Sequence, residues 1–147
     1  MKEVKAKEES FTLTGDQEKS LDLFCKWLKA PYSHKPFVMR GFAGSGKTFL
    51  SMKFLKKVDD LDFCWTVVAP THKAVGVLRE GLRREEIHPT WFPSTIHRLL
   101  RLKLKRQADS EVCEKTDQTE CSLENLGLVL IDEASMIDTK LLEITLE

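Results

Sequence analysis

The sequence carries no surplus charge, since 23 Lys and Arg are balanced by 23 Asp and Glu in 147 residues. Such a chain has no global basic field to draw in nucleic acid, so any such binding must come from a local face. It also lacks an apolar run long enough to span a bilayer. The first residues, Met1-Lys2-Glu3-Val4-Lys5-Ala6-Lys7-Glu8-Glu9, are charged and hold no apolar segment of the signal-peptide kind. A cytoplasmic protein with no membrane partner is expected. Cys25, Cys64, Cys113 and Cys121 show no C-x-x-C spacing, and His34, His72, His88 and His97 are scattered. That argues against a zinc site and for reduced thiols. There is no internal repeat and no low-complexity tract. What remains, 41% hydrophobic and 31% charged, is the makeup of one soluble globular domain.

The most informative stretch is Gly41-Phe42-Ala43-Gly44-Ser45-Gly46-Lys47-Thr48, which satisfies G-x-x-x-x-G-K-[ST]. In that pattern, glycines at Gly41, Gly44 and Gly46 let backbone N–H groups wrap the phosphates of a nucleotide. Ser45 adds a further amide, Lys47 reaches the β/γ-phosphates, and the Thr48 hydroxyl can hold Mg²⁺. The setting fits. Pro36-Phe37-Val38-Met39-Arg40 reads as a short apolar strand before the loop. After it, Leu50, Phe54, Leu55 and Val58 recur at helical spacing. A strand, a glycine-rich turn and a helix N-terminus make an anion site.

Residues 1–10 read as a flexible tail, and 11–147 as one domain. Thr14 and Gln17 fit a T-x-x-Q capping box ahead of a helix through Leu21, Phe24, Cys25 and Leu28, ending near Ala30-Pro31. Phe63 to Ala69 reads as a strand buried on both faces. Residues 72–84 read as a helix despite Gly76 and Gly81, and Ser94 can cap a short helix over Thr95–Leu100. In 101–122, Arg101, Lys103 and Lys105 alternate with Leu102 and Leu104. This predicts a small polar β-hairpin, with a disordered connector as the alternative. Gly127-Leu128-Val129-Leu130-Ile131 predicts a last strand, and Asp138 can cap a final helix. Strands alternating with helices imply an α/β fold, a parallel sheet with helices on its faces.

That last strand runs into Asp132-Glu133. In a magnesium-dependent nucleotide hydrolase, Asp132 would sit in the Mg²⁺ shell and Glu133 would orient and deprotonate the attacking water. The plainer alternative is that two acidic residues simply end a strand. Occurring with the phosphate loop, on a separate strand, the pair favours the first.

Four segments occur in order: Gly41 to Thr48, Ala69-Pro70-Thr71-His72-Lys73-Ala74-Val75, Ser94-Thr95-Ile96-His97-Arg98-Leu99-Leu100, and Ile131-Asp132-Glu133-Ala134-Ser135-Met136-Ile137. Together they resemble motifs I, Ia, Ib and II of superfamily 1B DNA helicases of the RecD/Dda type. The resemblance covers nearly the whole chain, from about Leu13 on. It implies a RecA-like P-loop ATPase domain using ATP and Mg²⁺, in the first part of a 5′→3′ helicase active in DNA repair and recombination. It implies that Gln17 recognises adenine, although the capping box competes for the same side chain. It implies that Thr71, His72, Lys73, Thr95 and His97 meet single-stranded DNA. Residues 101–122 fall where the family inserts its 1B hairpin, although no aromatic for base stacking is evident there. The family continues with a glutamine sensor and a second RecA-like domain, so an N-terminal fragment with weak turnover alone is expected. A standalone nucleotide- and DNA-binding module is the alternative, and a small-molecule kinase a more distant one.

Overall fold

In the computed structural model, residues 12–31, 35–61, 64–107, 110–119 and 123–146 are described. The 1–10 tail, Phe63, His34, Cys121 and the turn at Ala108-Asp109 lie outside them. The chain divides into two compact units, one up to Phe54 and one from Leu55 onward.

In the first unit, α1 (Gly15–Lys29) begins at a complete capping box. The Thr14 hydroxyl accepts the Gln17 amide, and the Gln17 side chain accepts the Thr14 amide. These bonds satisfy donors that a helix start otherwise leaves orphaned. Phe24, the buried residue of α1, stacks on Phe54 of α2 (Lys47–Asp59) with centroids 4.3 Å apart. It also meets Phe37 edge-on at 5.4 Å. Trp27 leans on Phe37 and donates its indole N–H to the Lys35 carbonyl at 3.2 Å.

Pro36–Arg40, whose sequence predicts a strand, forms none: among the described residues it joins no ladder. Its alternation is real, with Phe37 and Met39 half-buried and Val38 and Arg40 exposed. The inward phase is used by Phe37 on the aromatic cluster. A strand needs a partner for its backbone groups, and none of the described strands pairs here.

The second unit is built on β1 (Trp65–Ala69), all five residues of which are buried. Its β-branched, apolar composition suits a strand covered on both faces. On one side it pairs in parallel with β2 (Ser94–Thr95), Val68 facing Ser94 and Ala69 facing Thr95. On the other it pairs in parallel with β5 (Leu128–Ile131), Trp65 facing Leu128 and Val68 facing Ile131. The order is β2-β1-β5.

Between β1 and β2 the chain forms α3 (His72–Arg84), which buries Ala74, Val75, Leu78, Gly81 and Leu82. Val68 packs with Ile96, Leu99 and Leu100 around α4 (Ile96–Leu99) and with Leu141 of α5 (Thr139–Leu146). Val129, Ile131 and Ile137 flank that cluster. The result is an α/β fold in which helices cover a parallel sheet, with a small hairpin added. In the hairpin, β3 (Lys103–Gln107) and β4 (Ser110–Glu114) pair antiparallel, Lys103 opposite Glu114. Its root is tied: Arg101 Nη1 donates to Gln118 Oε1 at 2.8 Å, and the Thr116 hydroxyl donates to the Arg101 carbonyl at 3.0 Å. Among the described residues no helix is long and apolar enough to cross a membrane.

The capping expectation at Ser94 needs correction. Ser94 lies in β2, and the cap of α4 is Thr95, whose Oγ1 accepts the Arg98 amide at 3.4 Å. A two-residue strand ending directly in a helix moves the cap one position along.

Candidate functional site

Gly41 to Thr48 forms a turn that opens directly into α2. Gly44 and Gly46 hold φ values of 76° and 80°, a left-handed region that side chains disfavour. The Ser45 amide closes back on the Phe42 carbonyl at 3.2 Å, and the Leu50 amide makes an early helical bond to Gly46 at 2.9 Å. A Cβ on Gly41 would lie 2.6 Å from Ser45 Oγ, so a larger residue there would have to displace the Ser45 side chain. The first turn of α2 holds no acidic side chain to compete with an anion. Its N-terminus therefore favours negative charge.

Lys47 lies against this loop. Its ammonium donates to the Gly41 carbonyl at 2.9 Å and to the Phe42 carbonyl at 2.7 Å. An ammonium has three donors. Two are spent fixing Lys47 to the loop, and the third is left for a phosphate oxygen. The carbonyl bonds fix the charge beside the loop without a carboxylate that would neutralise it. Thr48, one position on, is exposed.

Gln17 reaches the same loop from α1. Its Oε1 accepts the Thr14 amide at 3.0 Å, while its Nε2 donates to the Ser45 carbonyl at 3.4 Å. Of the two readings of Gln17, the structure displays the capping box, with the remaining end of the amide turned to the phosphate loop. Gln17, Gly41, Gly44, Ser45, Gly46, Lys47 and Thr48 thus belong to one cluster in the first unit.

The acidic pair lies in the second unit, at the end of β5. The Asp132 amide donates to the Val68 carbonyl at 2.9 Å, so the ladder with β1 continues through it. Asp132 Oδ1 accepts the Glu133 amide at 2.9 Å, leaving Oδ2 for a metal or water. Glu133 turns out of the strand at φ 51° and starts a short 3-10 helix over Ala134–Met136. Left-handed backbone costs a residue other than glycine on the order of 1 kcal/mol and is characteristic of functional sites. Asp132 is half-buried and Glu133 exposed.

The remaining candidates leave the same sheet edge, because β1, β2 and β5 run parallel. Open α/β sheets collect ligands at that carboxyl edge. Thr71 follows β1 and caps α3, its Oγ1 accepting the Ala74 amide at 3.2 Å. His72 and Lys73 stand exposed in the first turn of α3. Thr95 ends β2 and is buried, and His97 follows in α4, half-buried. Both threonine oxygens are engaged as acceptors, so each hydroxyl has its hydrogen left to donate.

Sequence reasoning missed the residue that braces this edge. The Arg79 guanidinium, on α3, donates to the Pro93 carbonyl at 2.7 Å and fastens the chain just ahead of β2. Arg79 carries no signal in the sequence, because the bond depends on a fold that brings positions 14 apart together.

Among the described residues no group of three or more His, Cys, Asp or Glu gathers to hold a metal ion. Mg²⁺ needs no such group, because it keeps several waters and takes phosphate oxygens alongside one or two side chains.

Residues 27–146 match the family described as AAA domain. The chain is also similar to the uncharacterized protein R530 of Acanthamoeba polyphaga mimivirus, at 36% identity over 123 residues. That match covers 76% of this chain and 25% of the viral protein. The chain therefore spans about a quarter of the length of this relative.

Proposed function

The chain belongs to the AAA domain family, a nucleotide-binding P-loop NTPase fold, and from that premise we propose that it is the ATP-hydrolysing portion of a 5′→3′ DNA helicase of superfamily 1B. The observation that carries the proposal is the Lys47 ammonium, fixed by the Gly41 and Phe42 carbonyls with a donor to spare. A loop held in that shape receives a polyphosphate without rearranging, which lowers the cost of binding.

In this reading the loop amides and Lys47 bind the β- and γ-phosphates of ATP. Thr48 and Asp132 would hold Mg²⁺, which supplies charge neutralisation on the phosphates when bound. Glu133 orients a water in line with the γ-phosphorus and takes its proton. Thr71, His72, Lys73, Thr95 and His97 grip single-stranded DNA, with Lys73 on a phosphate. Asp132 and Glu133 leave the same sheet edge as Thr71 and Thr95, which supports coupling between hydrolysis and the DNA track. ATP turnover then drives translocation and duplex unwinding in the complete protein.

The test is phosphate release from Mg-ATP, with and without single-stranded DNA, by the wild-type chain and by Glu133→Gln. The expected outcome is that Glu133→Gln binds Mg-ATP as wild type does and loses turnover by at least about a hundredfold. Equal turnover would remove Glu133 from its role. Nucleotide and DNA binding by wild type without DNA-stimulated release would favour a binding module over a helicase.

A further inference from the structure

Phe92 is 90% exposed, although the chain on either side of it is fastened. Before it, the Trp91 amide donates to the Trp65 carbonyl at 3.3 Å, and the Trp91 carbonyl accepts the Thr66 hydroxyl at 3.0 Å. After it, the Pro93 carbonyl takes two bonds from the Arg79 guanidinium, from Nε at 3.3 Å and from Nη2 at 2.7 Å. An aromatic ring is thus held out to solvent on backbone with little freedom to turn it inward. Hydrophobic burial opposes that placement.

The neighbouring helix carries a second anomaly. His72, Gly76, Arg79 and Arg83 recur at i, i+4, i+7 and i+11, one line along α3, and all four are exposed. Gly76 lies in mid-helix, where glycine is a poor helix former. A Cβ there would meet nothing within 4 Å, so no contact among the described residues calls for glycine. A ligand backbone passing close over the helix would. The helix is also cationic, with Lys73, Arg79, Arg83 and Arg84 against Glu80 in a chain of no net charge. Arg83 pairs with Glu80 at 2.9 Å. Arg79 bonds a carbonyl instead, which leaves its charge unneutralised and three of its five donors over.

We propose that α3 and Phe92 form a further segment of the single-stranded DNA site: the sugar-phosphate backbone passes along His72, Gly76 and Arg79, and an unpaired base stacks on the Phe92 ring. The inference rests on the single-strand reading above and extends it from the sheet rim at His72 along the helix. His72 and Arg79 are seven residues apart, about 10 Å of helix. An exposed ring alone would suit a protein partner equally well. The bare glycine between His72 and Arg79 is what selects a phosphate backbone. Stacking accepts every base, so the segment holds the strand without reading its sequence. It also provides an aromatic where residues 101–122 have none.

The experiment measures binding of an oligothymidylate, and of an abasic strand of equal length, to the wild-type chain, Phe92→Ala, Phe92→Tyr and Gly76→Leu at several salt concentrations. Phe92→Ala is expected to weaken the oligothymidylate about tenfold, the loss of one stacked base, with no change in salt dependence. Phe92→Tyr should bind as wild type does. The abasic strand has nothing to stack and should bind wild type and Phe92→Ala alike. Gly76→Leu should raise the thermal midpoint, because leucine is the better helix former, and yet weaken both strands. A variant that is more stable and binds worse rules out misfolding as the cause. Wild-type affinity for the oligothymidylate in Phe92→Ala or in Gly76→Leu would overturn the proposal, as would an equal loss by Phe92→Ala on the abasic strand. Self-association of wild type that Phe92→Ala abolishes, with DNA binding unchanged, would replace it with a contact between copies of this chain. Wild type that binds neither strand would sink the single-strand reading along with the inference. Weakened binding in Lys73→Ala but not in Phe92→Ala would leave that reading standing and remove the inference alone.

Discussion

Asp132 Oδ1 accepts the amide hydrogen of Glu133 at 2.9 Å while Glu133 sits at φ 51°. One carboxylate thus clamps the backbone of the next in a left-handed turn, and the turn carries the Glu133 side chain off the line of β5. Two neighbours with different proposed tasks are aimed apart by one hydrogen bond.

Relief of that turn should be measurable. Glu133→Gly suits the positive φ and is expected to raise stability by no more than about 0.5 kcal/mol, because the relief of about 1 kcal/mol is partly offset by the added freedom of glycine in the unfolded chain. It should also abolish ATP turnover. Thermal unfolding and phosphate release check the two halves separately. A lowered midpoint would show that the Glu133 side chain contributes more than its backbone costs.

Lys47→Ala is expected to lose saturable Mg-ATP binding with little change in stability, since the carbonyls it leaves are open to water. Lys47→Arg should not restore binding, because a planar guanidinium cannot replace an ammonium between two carbonyls and a phosphate. Calorimetric titration of both variants decides this. Wild-type affinity in Lys47→Arg would mean that charge alone suffices.

Thr71, Thr95 and Lys73 should separate by what they disturb. Thr71→Ala and Thr95→Ala each remove a helix cap and should cost about 1 kcal/mol of stability, which serine in the same place restores. Lys73→Ala touches no cap and should leave stability unchanged. It should weaken single-stranded DNA binding and lower the salt dependence by roughly one phosphate contact. Denaturant titrations beside binding isotherms at several salt concentrations would show it.

Glu86 closes α3 in the left-handed conformation, with the Ile87 amide bonded back to the Leu82 carbonyl at 3.0 Å. Glu86→Gly is expected to stabilise the chain by about 0.5–1 kcal/mol, as glycine fits this position of a helix end. Arg101 adopts the same conformation after α4, but its side chain holds Gln118. Arg101→Gly should therefore give no gain. Parallel unfolding curves of the two variants test the contrast.

What the sequence revealed and what it hid divide along the range of the interactions. The Thr14–Gln17 box, the buried run of β1 and the helix through Gly76 and Gly81 are local patterns, and each was legible. In the helix, the apolar phase through Ala74, Val75, Leu78 and Leu82 outweighs two poor helix formers. β2 was missed because Ser94-Thr95 is too short to show any period and exists only as a partner of Val68 and Ala69. Pro36–Arg40 misled for the opposite reason, having a strand's alternation but no partner among the described strands. In the site, the motif fixed which residues form the loop. It could not show the Gln17 bridge to Ser45, which depends on tertiary approach. The left turn at Glu133 had no sequence signal, since no glycine or asparagine stands there.

The hydrogen bond from the Asp132 amide to Val68 has a mechanical consequence. Val68 is followed by Ala69, which faces Thr95, then by Pro70 and by Thr71, the cap of α3. A displacement of Asp132 need cross only one interstrand spacing, about 4.8 Å, to reach β1, and one more to reach β2. Buried on every side, β1 has little room to absorb strain by bending. It is the crossbar through which the three strands of the rim are joined.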